Sequence, residues 1–83
     1  MTRDEIATQL IAIVRQEKDL PEDLLKPETT LAAAGIDSLD SLTILFAIEE
    51  QFHISIPDDR ARAMVTFGDM IAIVADLAGV EPD

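Results

Sequence analysis

In the N-terminal stretch the apolar side chains fall at Ile6, Leu10, Ile13 and Val14, with Ile11 beside them, while Arg3, Asp4, Glu5, Arg15 and Glu17 lie off that stripe. Apolar positions recurring at intervals of three and four residues define one face of an amphipathic helix. Thr2 and Glu5 have the spacing of a capping box, in which each side chain satisfies a backbone N–H that the first turn leaves free. The pattern predicts a helix from about Thr2 to Glu17. From Lys18 to Gly35 no helical or alternating period survives, and Pro21 and Pro27 interrupt the chain. Leu20, Leu24, Leu25 and Leu31 are nevertheless spaced to anchor this segment on a core. We read it as a pinned crossover with a helical turn around "PEDLL".

The second helix begins at Asp37 or Ser38 and ends near Phe52. At helical spacing Leu39, Leu42, Ile44, Leu45, Phe46, Ile48 and Phe52 fill an arc of about 220°. That width predicts a central helix packed on more than one side, with Glu49 intruding. The remaining stripe, Asp40, Thr43, Ala47, Glu50 and Gln51, is narrow, acidic and small, and is expected to face a partner. Pro57 with Asp58 and Asp59 behind it suits a helix start, because the proline needs no N–H partner and the acids complement the dipole. It predicts a short third helix to Met64. Thr66 and Asp69 repeat the capping-box spacing ahead of Phe67, Met70, Ile71, Val74 and Leu77, so a last helix runs from Thr66 or Phe67 to Ala78, with Gly79 as its stop. Without repeats or a boundary, residues 1–83 are expected to form one domain. Its class is all-α: a small four-helix bundle of three long helices and one short one, with a long first loop.

Composition narrows the chemistry. Three phenylalanines are the only aromatic residues in a chain that is 48% hydrophobic, so the core is aliphatic. The absence of cysteine removes disulfides, thiolate metal sites and a thiol nucleophile. Seventeen acids against six bases give a formal net charge of −11, a surface that repels nucleic acid and anionic membranes and attracts basic proteins. The longest nearly apolar stretch, "MIAIVADLAGV", is too short to span a bilayer and contains Asp76. No targeting pattern opens the chain, and a cytoplasmic protein is expected. His53, the sole histidine, lies in "FHIS" beyond the second helix, and the three glycines are isolated, so neither a metal centre nor a phosphate loop is expected. Intrinsic enzymatic activity is not expected.

Ser38 stands at the start of the second helix. Generic physics lets either Asp37 or Ser38 cap the free backbone N–H groups there. The same place is favourable for a phosphate, since a helix N-terminus offers donors and the positive end of the dipole. Local physics leaves both roles open.

The stretch "GIDSLDSLTILFAIEEQFHISIPDD", with "VTFGD" after it, resembles the acyl carrier proteins, and the likeness extends over nearly the whole chain. In that family a Gly-x-Asp-Ser-Leu motif opens the second helix; here it is Gly35, Asp37, Ser38 and Leu39. The resemblance implies that Ser38 carries a 4′-phosphopantetheine arm, transferred from coenzyme A by a separate phosphopantetheinyl transferase, and that acyl groups ride on the arm's thiol as thioesters. It implies delivery to acyl-loading and acyl-processing enzymes whose basic patches dock on Asp37, Leu39, Asp40, Thr43, Ala47, Glu49 and Glu50. It further implies an acyl pocket in the bundle interior, including Phe46, Ile56, Ala61 and Met64. A monomer acting in fatty-acid or related lipid biosynthesis is expected. Two positions depart from the pattern: Thr43 stands where typical fatty-acid members carry a glutamate, and Phe46 where a methionine is common. They keep open a dedicated carrier for a specialised acyl, polyketide or aminoacyl unit. The Gly-Gly-x-Ser form of peptidyl carriers is absent. An unmodified acidic helical adaptor is the alternative of a different class.

Overall fold

The computed structural model describes residues 2–80. Among them the chain forms α1 (Arg3–Glu17), a 3-10 turn (Glu22–Leu24), α2 (Ser38–Phe52), α3 (Asp58–Arg62) and α4 (Phe67–Leu77). All three long helices start in reciprocal capping boxes. Thr2 Oγ1 accepts from Glu5 N–H at 3.2 Å, Asp37 Oδ1 from Asp40 N–H at 2.8 Å, and Thr66 Oγ1 from Asp69 N–H at 3.0 Å. The return bonds run from the backbone N–H of Thr2, Asp37 and Thr66 to Glu5, Asp40 and Asp69. Each box satisfies donors that the first turn leaves without intrahelical partners. The bundle is all-α, as the periodicity predicts.

α1 packs against both α2 and α4. Their shared core comprises Ile6, Leu10, Ile13 and Val14 from α1, Ile44 and Ile48 from α2, and Phe67, Met70, Ile73, Val74 and Ala75 from α4. The α4 face is thus turned slightly from the expected one: Ile73 and Ala75 enter the core, while Ile71 and Leu77 remain half-buried.

The long first connection is held rather than loose. Leu20 is buried, and Leu24, Leu25 and Leu31 pack against the core. The stretch from Pro27 to Leu31 also runs antiparallel to the start of α4. Gly68 N–H donates to Pro27 O at 2.9 Å, Phe67 N–H to Thr29 O at 3.1 Å, and Leu31 N–H to Val65 O at 2.9 Å. Loop carbonyls therefore serve two of the free first-turn donors of α4. The close approach favours a glycine, because a Cβ at Gly68 would stand 3.0 Å from Pro27 O, tighter than ordinary van der Waals contact. Gly35, at φ +82°, then ends a turn in which Ile36 N–H returns to Leu31 O at 3.0 Å, delivering the chain to Asp37.

Two expectations are corrected by the fold. α3 is only five residues long, with Pro57 as its cap rather than its first residue. It stops at Arg62 because Val65 must leave the helix to pair with Leu31 and to reach Asp69. The second correction concerns α2. Its small and polar stripe is only partly open: Asp40 pairs with Lys18 at 3.2 Å, Gln51 bonds Gln9 of α1 at 2.7 Å, and Ala47 is half-buried, while Thr43, Glu50 and Gln51 are exposed. Apolar residues share the exposed side, with Leu39, Leu42 and Phe46 exposed by 73%, 50% and 65%.

Candidate functional site

Asp37 settles the capping question at the start of α2. It is the N-cap, in extended backbone, and Ser38 is the first helical residue. The hydrogen bond from Asp40 N–H, aided by the charge of Lys18, holds the Asp37 carboxyl below the usual carboxylate range. Asp37 is therefore ionised at neutral pH. Relieved of capping, Ser38 is exposed, and its hydroxyl takes part in none of the side-chain hydrogen bonds among the described residues. Such a hydroxyl is free to be modified.

Beside it lies a groove between α2 and α3. Ile36, Asp37, Ser38, Ser41, Leu42, Leu45, Ala61 and Arg62 line this open depression. Ile36, Ser41, Leu45 and Ala61 also line an apolar cavity of about 40 Å³, closed further in by Leu31, Ile44, Met64 and Met70. Sharing these four residues, the cavity adjoins the groove that Ser38 lines. A volume of this size exceeds the roughly 10–15 Å³ that one water-sized probe occupies.

The structure divides the residues proposed from sequence. Of the expected pocket residues, Ala61 and Met64 line the cavity. Ile56 does not; it is half-buried against the core. Phe46 lies outside the bundle altogether, because the core-facing side of α2 is set by Ile44 and Ile48. Its bulk has no bearing on the cavity. Ser41 is half-buried in the cavity wall, three residues on from Ser38 and on the inward side of the helix. Leu31, Ile36 and Leu45 are further lining residues; the hydropathy pattern marks Leu31 and Leu45 as apolar anchors without placing them at a cavity.

Among the expected docking residues, Leu39, Thr43 and Glu50 are exposed, and Thr43 Oγ1 donates to Leu39 O at 3.3 Å. Asp40 is engaged by Lys18 and by its own capping box. Glu49 Oε2 accepts from Ile56 N–H at 2.8 Å, clasping the connection between α2 and α3. That carboxylate has a structural task. His53, whose N–H bonds Glu49 O, ends α2 in a left-handed conformation at φ 55° and is exposed. Among the described residues there is no cluster of three or more potential metal ligands.

A helical bundle that presents one unengaged serine at the head of its central helix, on a groove adjoining an apolar cavity, suits a protein that bears an attached group rather than one that converts a substrate. The family model described as "Phosphopantetheine attachment site" matches residues 8–74. The acyl carrier protein of Picosynechococcus sp. is 34% identical over 76 residues, covering 90% of this chain and 94% of the relative. That of Beutenbergia cavernae is 35% identical over 75 residues, covering 89% and 92%. The mitochondrial acyl carrier protein of Dictyostelium discoideum is 36% identical over 72 residues, and the match spans 87% of this chain but only 60% of the relative. The chain belongs to the acyl carrier protein family. It is a carrier and not an enzyme, and its cofactor is 4′-phosphopantetheine. The residues fit that group: an exposed, unbonded hydroxyl stands on a groove that adjoins an apolar cavity.

Proposed function

We propose that Ser38 is the residue bearing the 4′-phosphopantetheine arm, and that the chain carries acyl groups for enzymes of fatty-acid or related lipid synthesis. The observation that carries this reading is the exposed, unbonded Ser38 hydroxyl on a groove that shares four wall residues with the apolar cavity. When attached, the arm supplies the thiol that a cysteine-free chain lacks. Ser38 provides the attachment oxygen. Ile36, Leu45, Ala61 and Met64 provide the apolar surface toward which a cargo chain would be drawn out of water. In this reading the chain is a single monomeric domain working in the cytosol. Among the described residues no helix is long and apolar enough to cross a membrane.

Docking is assigned to the outer side of α2. Leu39, Leu42 and Phe46 form a stripe along successive turns, with Asp37, Thr43 and Glu50 exposed alongside it. A partner with a basic rim around an apolar pocket matches it. The stripe supplies contact area, and exposed ion pairs around it contribute little each and are screened by salt, which suits repeated binding and release. The exposure of Phe46 and Thr43 favours a dedicated carrier, since these departures from the common pattern lie where enzymes are selected and not where cargo is housed.

Intact-protein mass spectrometry tests the assignment, after incubation with coenzyme A and a broad-specificity phosphopantetheinyl transferase. One phosphopantetheine should be gained, and Ser38→Ala should abolish the gain. No gain at all would support an unmodified adaptor, and a label on Ser41 or Ser55 would overturn the site.

A further inference from the structure

Arg62 is left without a task by everything above. It is the last residue of α3, exposed, and it lines the same groove as Asp37, Ser38 and Ser41. It forms no ion pair among the described residues. The other cations near this end of the bundle are occupied: Lys18 with Asp40, and Arg60 with Asp76 at 2.7 Å. Arg62 alone contributes a positive charge to the groove lining.

The head of α2 is poorly provided for a second anion. Ordinarily the free N–H groups of a helix start would receive a phosphate. Here the Asp37 carboxylate already takes the Asp40 N–H at 2.8 Å, and the Asp40 carboxylate returns to Asp37 N–H. Two carboxylates thus occupy the first turn, and Lys18, ion-paired with Asp40 and acting on Asp37 through its charge, is already shared between them. A phosphodiester added at Ser38 brings a further negative charge beside Asp37. Its compensation has to come from outside the helix.

We propose that the Arg62 guanidinium receives the phosphodiester of an arm on Ser38, donating N–H groups to its two non-ester oxygens, and so turns the arm along the groove toward Ala61 and the cavity. The planar fork of arginine matches that oxyanion pair better than a lysine ammonium does. Arg62 is in this sense a positioning residue: it decides where the arm rests between encounters with enzymes. The contact spans α2 and α3, so modification of Ser38 should also tie these two helices together.

The inference rests on Ser38 as the attachment point, and the two can fail separately. Wild type, Arg62→Gln and Arg62→Lys are prepared in apo and holo forms, with the mass gain mapped to Ser38 before any other measurement. The 31P resonance of the arm and the thermal midpoint of each form are then recorded at low salt and at 1 M salt, where the screening length falls to about 3 Å. Wild-type holo protein should melt above the apo form at low salt, and the difference should shrink at 1 M. Arg62→Gln should lose that difference while its apo form melts with wild-type apo protein, and its 31P resonance should move to the position seen for wild type at high salt. Arg62→Lys should restore part of the midpoint difference. If Ser38 is labelled but the 31P resonance and the holo-minus-apo difference are the same in Arg62→Gln and wild type, the Arg62 contact is refuted and the Ser38 assignment stands. If Ser38 takes no label, both are overturned.

Discussion

Replacing Phe46 and, separately, Ile48 by alanine tests the rotational setting of α2, on which the docking assignment depends. The two residues are two apart on one helix, yet Ile48 is fully buried and Phe46 is 65% exposed. A phenylalanine has roughly 200 Å² to bury, and Phe46 covers about a third of it, near 70 Å². At ~25 cal/mol per Å² that burial is worth about 1.7 kcal/mol. The value is an upper bound, because an unfolded chain already shields part of its apolar surface. Alanine also gains about 0.5 kcal/mol of helix propensity, so Phe46→Ala should cost about 1 kcal/mol. Ile48→Ala removes a core side chain and leaves a cavity, at about 3 kcal/mol. For a domain of this size 1 kcal/mol moves the thermal midpoint by about 4–8 °C. Urea and thermal unfolding followed by circular dichroism resolve the two cases. The functional readout runs the other way: an exposed aromatic at an interface centre is worth about 2 kcal/mol, so Phe46→Ala should raise the KM of acyl-processing partners by roughly 30-fold. If Phe46→Ala destabilises as much as Ile48→Ala, or leaves KM unchanged, the outward stripe is not what partners read.

Three further substitutions probe the frame around the site. Gly68→Ala should lose about 1 kcal/mol, because crowding of Pro27 O at 3.0 Å outweighs a propensity gain of about 1 kcal/mol; a raised thermal midpoint would contradict the pinned loop. Glu49→Ala should cost about 1.5 kcal/mol by leaving Ile56 N–H without its carboxylate, while Glu50→Ala stays within about 0.5 kcal/mol; equal urea midpoints would remove the clasp. Asp69→Asn tests the α4 cap. Hydrogen bonds from Thr66 and Val65 N–H hold the Asp69 pKa below 3.8, so its stabilisation is present above the unfolded-state pKa and is lost as pH falls through the lower folded value. The variant should melt below wild type at pH 7, and the gap should narrow as acidification protonates the carboxyl; a gap that stays constant with falling pH would refute the linkage.

Much of the frame was legible because local rules and the fold agree. The boxes at Thr2 and Thr66 follow the usual spacing of a hydroxyl residue and an acid, and the leucines of the first loop are drawn to the core as their spacing suggested. The box at Asp37 was less visible, since two aspartates replace the usual hydroxyl and glutamate. The rotation of α2 could not be read from periodicity. An apolar arc of about 220° is wider than any core face of this small bundle, and the pattern does not say which edge is left uncovered. Neighbours decide that. Lys18, the C-cap of α1, and Gln9 within it bond Asp40 and Gln51, and half-buried Ala47 is small enough to allow the approach. On the other flank α3, at five residues, is only about 7.5 Å long and leaves Leu39, Leu42 and Phe46 uncovered.

The same geometry changes what the sequence departures mean. Phe46, read as an interior residue, was an argument about cargo size; on the outer stripe it is an argument about which enzyme docks. In the proposed reading cargo is governed elsewhere, by Ser41, Leu45, Ala61 and Met64 around the cavity, which Phe46 does not line although it follows Leu45 in the chain. Carrier specificity would then be divided between two faces of one helix, the inward face of α2 limiting what can be sheltered and the outward face limiting who collects it, with Ser38 at the edge where the two meet. A substitution on one face should leave the other property intact, because Ile44 and Ile48 fix the helix between them. Altered enzyme choice with unaltered acyl-chain protection is accordingly the expected signature of Phe46 and Thr43 variants, and the converse pairing that of Ala61 and Met64 variants.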